Sequence, residues 1–323
     1  MSRRKSKKTG AEVVSAIVVL LIVVYVVFFS RNVNNTATQS NVIYTSAGVV
    51  DEVNIENDKL NILFLYVGQA DCTLVKLNDK TMLIDAGNNE DGKNVSNYLK
   101  SLNINKLDYV IGTHSDEDHI GGLDDVITDL DVDKVYMPTV GSDKINYKNI
   151  VKAAEKKGLE VQTPKEGDTF SISDANCEVL SVMNEEGVSS NNSSIVVEMK
   201  YVDTTYLFMG DAEKEVENSK QWNKADVLKV GHHGSSTSST QKFLDQVKPH
   251  YAIIEVGKEN SYRLPNRYTI ERLEKVGATI LRTDTNCSSF WLTSNGTEIE
   301  QKEIKVDLDG KKEETTKKGD WWT

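Results

Sequence analysis

Short apolar runs and helix-like segments alternate through the middle of the chain. Residues 60–67 (LNILFLYV), 72–77 (CTLVKL) and 81–87 (TMLIDAG) are predicted strands, because each run is short, apolar and bounded by turn residues. Residues 94–102 (NVSNYLKSL) predict a helix, and residues 107–114 (LDYVIGTH) predict a buried strand that runs into a polar loop. This half of the chain therefore begins with antiparallel strands and continues with alternating strand and helix.

The second half continues the alternation. Residues 194–211 predict a hairpin that turns near Asp203, and residues 225–234 (ADVLKVGHHG) predict a strand that ends in a histidine pair. A helix is predicted around residues 267–276, and residues 295–296 (Asn-Gly) are a typical hairpin turn. Antiparallel pairs early and late, with helices between them, predict an α/β domain of two packed sheets covered by helices.

The first apolar run differs from the others. Residues 13–30 (VVSAIVVLLIVVYVVFFS) carry no charge, and as a helix they would extend about 27 Å, close to the ~30 Å hydrocarbon core of a bilayer. A cleaved signal peptide would need a small-x-small site, which is missing just after Phe29, and a buried core helix would show periodicity. We therefore predict an uncleaved, single-pass transmembrane anchor. Because residues 1–12 are basic, the N-terminus should be cytoplasmic and the remainder extracellular, at the cell membrane.

Composition divides the rest of the chain. Residues 31–58 are rich in Asn, Thr and Ser and predict a stalk or linker. Residues 59–306 hold the strand and helix patterns and are predicted to form one domain, followed by a polar tail at residues 307–323. The chain is 38% hydrophobic, which is enough for a full core and excludes a wholly disordered protein.

Charge limits the partners of this domain. The net charge is −11, and because the first 12 residues carry +4, the remainder carries −15. An acidic body is a poor non-specific binder of polyanions, so a nucleic acid would have to be held by metal ions and a local basic patch. The three cysteines are too few and too scattered for a disulfide scaffold or a cysteine zinc site.

Candidate metal ligands crowd into one loop directly after a buried strand. Residues 113–122 read Thr-His-Ser-Asp-Glu-Asp-His-Ile-Gly-Gly. Four of these side chains can bind a metal: His114, Asp116, Asp118 and His119. Their carboxylates would repel one another without a cation, so a divalent ion is the natural partner. The alternative is a solvated acidic loop in which Asp118 caps a helix.

Two later strand ends carry the same kinds of side chain. Asp211 follows the apolar run ending in Phe208, and His232 and His233 follow the run ending in Val230. Four of the five histidines of the chain therefore lie at strand ends, where α/β sheets usually bind ligands. A helix N-cap or a polar turn would explain either segment alone, but three such strand ends together favour a shared site.

The run His-x-Asp-x-Asp-His-x-Gly-Gly resembles the signature of the metallo-β-lactamase superfamily, in the variant in which Asp replaces the second His. Five further segments are similar to the hydrolase domain of ComEC-type competence proteins and its stand-alone relatives: FLYVGQADCTLV, MLIDAG, NNSSIVV, FMGD and DVLKVGHHGSSTS. The resemblance covers about residues 60–300. It implies an αββα sandwich with a binuclear metal site at the edge between its two sheets.

The resemblance also implies roles for individual residues. It places six metal ligands: His114 and Asp116 on one ion, Asp118 and His119 on the second, Asp211 between them, and His232 as the last ligand. His233 is the alternative ligand or a proton donor. Three residues would support the site, namely Asp85 as a buried orienting carboxylate and Asn192 and Ser194 in an Asn-x-Ser pattern. The chain departs from the family at Leu264, where a His is expected.

These features predict a membrane-anchored extracellular hydrolase of phosphodiester bonds, with single-stranded DNA or a choline-phosphate-type ester as the substrate. Two divalent ions, Zn²⁺ or Mn²⁺, would lower the pKa of a shared water so that hydroxide attacks. Asp118 or Asp211 would orient that hydroxide, and His233 would protonate the leaving group. Two alternatives stay open: an amide or lactone hydrolase of the β-lactamase type, and a metal-stabilised binding module with little turnover, for which Leu264 is the reason.

Overall fold

The computed structural model describes residues 42–45, 48–51, 53–306 and 308. The basic tail (1–12) and the transmembrane anchor (13–30) lie outside these residues, as does the polar tail (307–323) apart from residue 308. Half of the predicted stalk (31–58) is described, and it contains two short strands and the buried Val53. Within the described ranges, no helix has both the length and the apolar character needed to cross a membrane. By its internal contacts the chain divides into two units, residues 1–42 and residues 43–323. All the elements described below lie in the second unit, except that the first strand begins at Val42.

The first two strands, β1 (Val42–Thr45) and β2 (Gly48–Asp51), form a small two-stranded sheet. The next strands in the chain belong to an eight-stranded mixed sheet. The eight strands are β3 (Leu60–Phe64), β4 (Thr73–Leu77), β5 (Lys80–Ile84), β6 (Lys106–Ile111), β7 (Asp131–Tyr136), β8 (Val161–Gln162), β16 (Ser289–Ser294) and β17 (Ile299–Ile304). Their spatial order is β17-β16-β3-β4-β5-β6-β7-β8. Pairing is antiparallel from β17 to β5 and parallel from β5 to β8.

A seven-stranded sheet forms the other half. Its strands are β9 (Thr169–Ile172), β10 (Ala175–Ser181), β11 (Val196–Tyr201), β12 (Thr204–Phe208), β13 (Val227–Lys229), β14 (Tyr251–Ile254) and β15 (Thr279–Arg282), which lie side by side in this order. Pairing is antiparallel from β9 to β12 and parallel from β12 to β15. The hairpin predicted to turn near Asp203 is confirmed as β11–β12, and the Asn-Gly turn joins β16 to β17.

Helices cover the outer faces of both sheets. The described α-helices are α1 (Gly92–Ser101), α2 (Glu117–Ile120), α3 (Leu123–Asp129), α4 (Ile145–Lys156), α5 (Lys214–Asn218), α6 (Gln241–Val247) and α7 (Arg267–Lys275). Buried side chains of α1 to α4 pack on the eight-stranded sheet, and those of α5 to α7 pack on the seven-stranded sheet. A third apolar layer lies between the sheets, where the rings of Phe64 and Phe208 are 6.4 Å apart. The predicted helix–sheet–sheet–helix order is therefore confirmed.

The topology decides where polar side chains can meet. β5 and β6 run parallel in one sheet, and β12, β13 and β14 run parallel in the other, so each group shares one edge for its carboxyl ends. The central strands of both sheets are largely buried in the apolar core, which leaves these loops to carry most of the polar chemistry. The candidate ligands follow β6, β12 and β13.

Candidate metal centre

The three loops that carry the predicted ligands meet in one buried cluster. The Nε2 atom of His119 lies 3.2 Å from Oδ1 of Asp211 and 3.3 Å from Nε2 of His233. His114 approaches the same carboxylate, with its Nε2 atom 3.9 Å from Oδ2 of Asp211. Side chains from three distant loops therefore point at a common volume, as the sequence predicted.

The loop after β6 is held against the rest of the sheet by a close backbone approach. α2 begins after Asp116, and His119 lies inside this short helix with its side chain fully buried. Gly122 follows the helix, and a Cβ atom there would lie 2.3 Å from the carbonyl oxygen of Ala86. Only glycine permits this contact, which presses the helix and His119 against the loop after β5.

One group of possible ligands consists of His114, His119 and Asp211, all of them buried. Asp116 adds a fourth side chain, with its Oδ2 atom 3.5 Å from Nε2 of His114. Its other oxygen is held by the ammonium of Lys144 and accepts a hydrogen bond of 2.8 Å from Ser190. Asp116 is therefore placed at the outer side of this group, 36% exposed.

A second group of possible ligands shares His119 with the first. It consists of Asp71, His119 and His233, all buried. Asp118 joins it from the outside, with its Oδ2 atom 3.3 Å from Nε2 of His233. Asp71 lies on the far side of the same imidazole, 3.1 Å from Nδ1.

Several buried polar atoms of the cluster lack a hydrogen-bond partner in the part of the chain that the structure describes. They are Nε2 of His114, Oδ1 of Asp211 and Oδ1 of Asp71. Buried polar atoms are rarely left in this state, because the desolvation of each one costs about 1–3 kcal/mol. Imidazole nitrogens and carboxylate oxygens are the donors that Zn²⁺ and Mn²⁺ take in proteins, so these residues fit divalent metal ions.

Burial distinguishes the two neighbouring histidines. The His233 side chain is 2% exposed, and its Nδ1 atom lies 2.8 Å from the carbonyl oxygen of Glu255. The His232 side chain is 26% exposed, with Nδ1 3.2 Å from Oε1 of Glu213 and Nε2 3.7 Å from Oδ2 of Asp211. The resemblance favoured His232 as the ligand, whereas the geometry favours His233 in the interior and His232 at the rim.

The histidine pair adopts an unusual backbone conformation. His232 has φ 51° and His233 has φ 50°, and Asp85 has φ 58°. Non-glycine residues in this left-handed region cost about 1–3 kcal/mol each and persist only where the surrounding structure holds them. The turn aims two successive imidazoles toward Asp211 from different depths, which an extended strand end could not do.

The predicted supporting residues lie around the cluster. Asp85 accepts hydrogen bonds from the backbone N–H and the hydroxyl of Thr113, and its Oδ2 atom lies 2.8 Å from Nδ1 of His119. Ser194 accepts a 3.0 Å hydrogen bond from the backbone N–H of Asp211. Asn192 lies further out, where it accepts a hydrogen bond from the N–H of Glu213. Asp85 and Ser194 thus contact residues of the cluster, whereas Asn192 contacts the segment that follows Asp211.

Three buried charged residues were missed by the sequence analysis. The ammonium of Lys229 lies 2.6 Å from Oδ2 of Asp71 and 3.9 Å from Oε2 of Glu255. Glu255 accepts hydrogen bonds from the N–H of Cys72 and the hydroxyl of Thr73. A signal was present: Lys229 and Glu255 each interrupt or end a short apolar strand run, where a charge needs a buried partner.

The carboxylates hold protons on the imidazoles when no metal is bound. Burial disfavours the charged form of His233, but Asp211 and Asp71 outweigh it and raise the pKa to about 10. Burial likewise opposes the charge on His119, and Asp211, Asp85 and Asp71 raise its pKa well above 6.5. Both histidines therefore carry a net favourable charge interaction in the metal-free fold.

Metal binding to this cluster should release protons, because a metal takes the neutral imidazole. Titrating Zn²⁺ or Mn²⁺ into the metal-free protein at pH 7 should release about one to two protons per chain in weak buffer. Metal uptake without proton release would contradict the assignment.

The charge on His233 also gives the metal-free fold a pH dependence. Because the pKa of His233 is raised to about 10 in the fold, its contribution to stability is complete below about pH 6.5 and is lost as the pH rises toward about 10. Urea unfolding in EDTA should show a free energy of unfolding that falls over this pH range.

Comparisons with known proteins agree with this geometry. The family model described as the metallo-beta-lactamase superfamily matches residues 65–257. ComE operon protein 3 of Bacillus subtilis is 36% identical over 193 residues, covering 58% of this chain and 25% of the relative. Recombination protein 2 of Haemophilus influenzae is 30% identical over 229 residues, covering 68% of this chain and 27% of the relative. The chain thus spans about a quarter of the length of these curated relatives.

A solved structure has the same fold. The metallo-beta-lactamase fold protein YhfI from Bacillus subtilis superposes with a TM-score of 0.52 at 11% sequence identity. The match covers 73% of this chain and 100% of that one. At this identity the match supports the layered architecture described above and says nothing about substrate.

Proposed function

The chain belongs to the metallo-β-lactamase superfamily, and from that premise we propose that it is a metal-dependent hydrolase of phosphodiester bonds. The observation that carries the proposal is the pair of buried ligand groups that share His119. With Asp116 and Asp118 beside these groups, the six proposed ligands comprise three carboxylates and three imidazoles. This share of carboxylates favours hard, charge-neutralising metal chemistry on a phosphoryl oxygen. Relatives whose names refer to recombination and to the ComE operon add support for a nucleic-acid diester.

The proposal assigns each residue of the cluster a role. His114, Asp116 and Asp211 would hold one ion, and Asp118, His119 and His233 would hold a second that also contacts Asp211. Bound Zn²⁺ or Mn²⁺ would supply Lewis acidity and a lowered pKa for water. The carbonyl oxygen of Glu255 and the carboxylate of Asp85 lie 2.8 Å from Nδ1 of His233 and of His119, which sets the tautomer of each ring.

His232 is our candidate for the proton donor to the leaving group. Its ring is partly exposed at the mouth of the cluster, and the Glu213 carboxylate lies 3.2 Å from Nδ1. A carboxylate at Nδ1 orients the ring so that Nε2, 3.7 Å from Oδ2 of Asp211, can pass a proton to a leaving group. Asp118, 31% exposed, lies at the same mouth and would orient the attacking water.

We also propose that the domain acts outside the cell, tethered to the membrane. The support comes from the uncharged run at residues 13–30 and its basic flank at residues 1–12. The proposed stalk at residues 31–58 would hold the domain clear of the membrane surface.

The proposed activity is tested with the full chain, stripped with EDTA and reloaded with Mn²⁺ or Zn²⁺. We expect hydrolysis of bis-p-nitrophenyl phosphate that disappears with EDTA and returns with metal. A chromogenic β-lactam serves as the matched substrate for amide hydrolysis. Turnover of the lactam alone would assign the amide-hydrolase alternative, and inert protein with full metal content would assign the binding module.

A further inference from the structure

A lysine from a neighbouring loop contacts one oxygen of the Asp116 carboxylate. The ammonium of Lys144 and the hydroxyl of Ser190 both donate to Oδ1 of Asp116, the hydroxyl over 2.8 Å. Lys144 also donates to Oγ of Ser190 over 3.3 Å, so the three side chains form a closed group. The other oxygen, Oδ2, lies 3.5 Å from Nε2 of His114. We name Lys144 and Ser190 the carboxylate clamp.

The segment that carries Lys144 is fixed on both sides. It joins β7 to α4, and Lys144 is the residue directly before α4. The N–H of Lys144 donates a 2.9 Å hydrogen bond to the carbonyl oxygen of Gly141. Gly141 has φ +79°, and a Cβ atom there would lie 2.6 Å from the Cβ atom of Ser115, in the ligand loop after β6. The N–H and the hydroxyl of Thr139 both donate to Oδ1 of Asn184.

Ser190 reaches the carboxylate from a different part of the chain. Its hydroxyl lies 3.0 Å from that of Ser115. Its carbonyl oxygen accepts hydrogen bonds from the N–H (3.0 Å) and the hydroxyl (2.6 Å) of Ser193, in a short 3₁₀ turn. The turn leads directly to Ser194, which accepts from the N–H of Asp211. The carboxylate clamp is therefore built from ordered segments on two sides of the ligand group.

The clamp limits how Asp116 can bind an ion. A His at this position of the signature would offer one nitrogen, whereas a carboxylate can bind through one oxygen or two. Because Oδ1 accepts from an ammonium and a hydroxyl, Oδ2 is the oxygen left for an ion. Of the three proposed carboxylate ligands, Asp116, Asp118 and Asp211, Asp116 is the one that a lysine contacts in the described part of the chain. Binding through one oxygen leaves a coordination position open for water or substrate.

We propose that Lys144, together with Ser190, is a positioning residue that makes Asp116 a one-oxygen ligand of the ion assigned to His114, Asp116 and Asp211. This inference rests on the proposed function, and it adds to the metal centre a residue that lies outside every ligand motif. Lys144 acts through Asp116 and does not touch the reacting atoms. Groups that hold a metal-binding carboxylate from behind contribute to metal affinity because they fix its orientation.

The test measures metal binding by the full chain after EDTA has removed any metal. Zn²⁺ is titrated in competition with a chromogenic chelator, which yields a dissociation constant for each ion. Lys144 is 43% exposed, so Lys144→Met should leave the core intact. This variant should weaken the binding of one ion by about 10–100-fold and leave the other within about threefold. Lys148→Met is the matched control, because Lys148 is exposed one turn further along α4, and it should bind both ions as the parent protein does.

A double variant distinguishes positioning from a structural role. Asp116→Ala removes the ligand itself and should weaken the same ion at least as much as Lys144→Met does. If Lys144 acts through Asp116, adding Lys144→Met to Asp116→Ala should cause no further loss of affinity. Losses that multiply in the double variant, or an equal loss at both ions in Lys144→Met, would overturn the positioning role.

Turnover of bis-p-nitrophenyl phosphate separates this inference from the proposed function. Selective loss of one ion in Lys144→Met, from a parent protein that is inert toward the diester, keeps the positioning role and refutes the hydrolase. An active parent whose Lys144→Met variant binds both ions normally overturns the positioning role and leaves the hydrolase standing. Normal binding of both ions with a raised KM would assign Lys144 to the substrate, which also overturns the positioning role.

Discussion

Replacing His119 with alanine is expected to abolish hydrolysis and to strip the protein of metal. His119 is the one residue that both buried ligand groups share, so its loss opens both at once. Removing a hydrogen-bond partner behind a metal ligand typically costs about 10–100-fold in metal affinity or activity. Loss of a direct ligand that lies between the two groups should therefore exceed about 100-fold. Metal content by elemental analysis and turnover of bis-p-nitrophenyl phosphate are the two measurements.

Two histidine variants control this experiment. His250 is exposed and stacks on Tyr251, away from the cluster, so His250→Ala should retain metal and turnover. His232→Ala should lose turnover but keep more metal than His119→Ala, because His232 lies at the rim. His119→Ala protein with full metal content and normal turnover would refute the candidate site.

Replacing Lys229 with methionine should be the most destabilising single change in the region. Lys229 is 3% exposed and lies between Asp71 and Glu255. Burial raises the pKa of Glu255, and the Asp71 charge raises it further, to about 8, so Glu255 is largely neutral at pH 7. The ionised partner of Lys229 is therefore Asp71. Removing one member of a buried ion pair costs about 3–5 kcal/mol, and here the Asp71 charge keeps only the His233 ring, 3.1 Å away, to compensate it.

The measurement is urea unfolding of the full chain in EDTA at pH 7, so that metal affinity does not enter. Lys302→Met, on an exposed strand edge, should change the free energy of unfolding by less than about 0.5 kcal/mol. The double variant Lys229→Met/Asp71→Asn removes the uncompensated charge and should recover part of the loss. If Lys229→Met lowered the free energy of unfolding no more than Lys302→Met does, the buried ion pair would not contribute to the stability of the fold.

The raised pKa of Glu255 makes the stability contributed by the buried charges of Lys229, Asp71 and Glu255 depend on pH. Its native pKa of about 8 exceeds the ordinary value of 4.5, so the folded chain binds more protons than the unfolded chain between these values. The stability that this group contributes is thus lost as the pH rises through that window. Lys229 limits the loss, since its charge lowers the pKa of Glu255.

Much of the architecture was predictable because it depends on short segments. Apolar runs of strand length, turn residues and helical spacing each report on local burial, and they placed the β11–β12 hairpin and the β16–β17 hairpin correctly. The ligand chemistry is local in the same sense. His114, Asp116, Asp118 and His119 are neighbours in the chain, and Asp211 and His233 each follow an apolar run.

The contacts across the cluster were not predictable in this way. His119 and His233 are separated by 114 residues, and Cys72 and Glu255 by 183. Asp71 and Lys229 received no role from the sequence, because neither shows its partner in its own neighbourhood. Only the packing of one sheet on the other brings these charges together.

The sequence by itself therefore determined the kinds of side chain, the strand ends that carry them and the layered fold that collects those ends. The tertiary structure decided which imidazole faces inward and which carboxylates stand behind it. The reason is that hydrophobic periodicity is a property of a few adjacent residues, whereas the left-handed turn at His232 and His233 is held by contacts with Gly210 and Glu255 from other loops. Those contacts require β12, β13 and β14, which are distant in the chain, to lie side by side in the seven-stranded sheet.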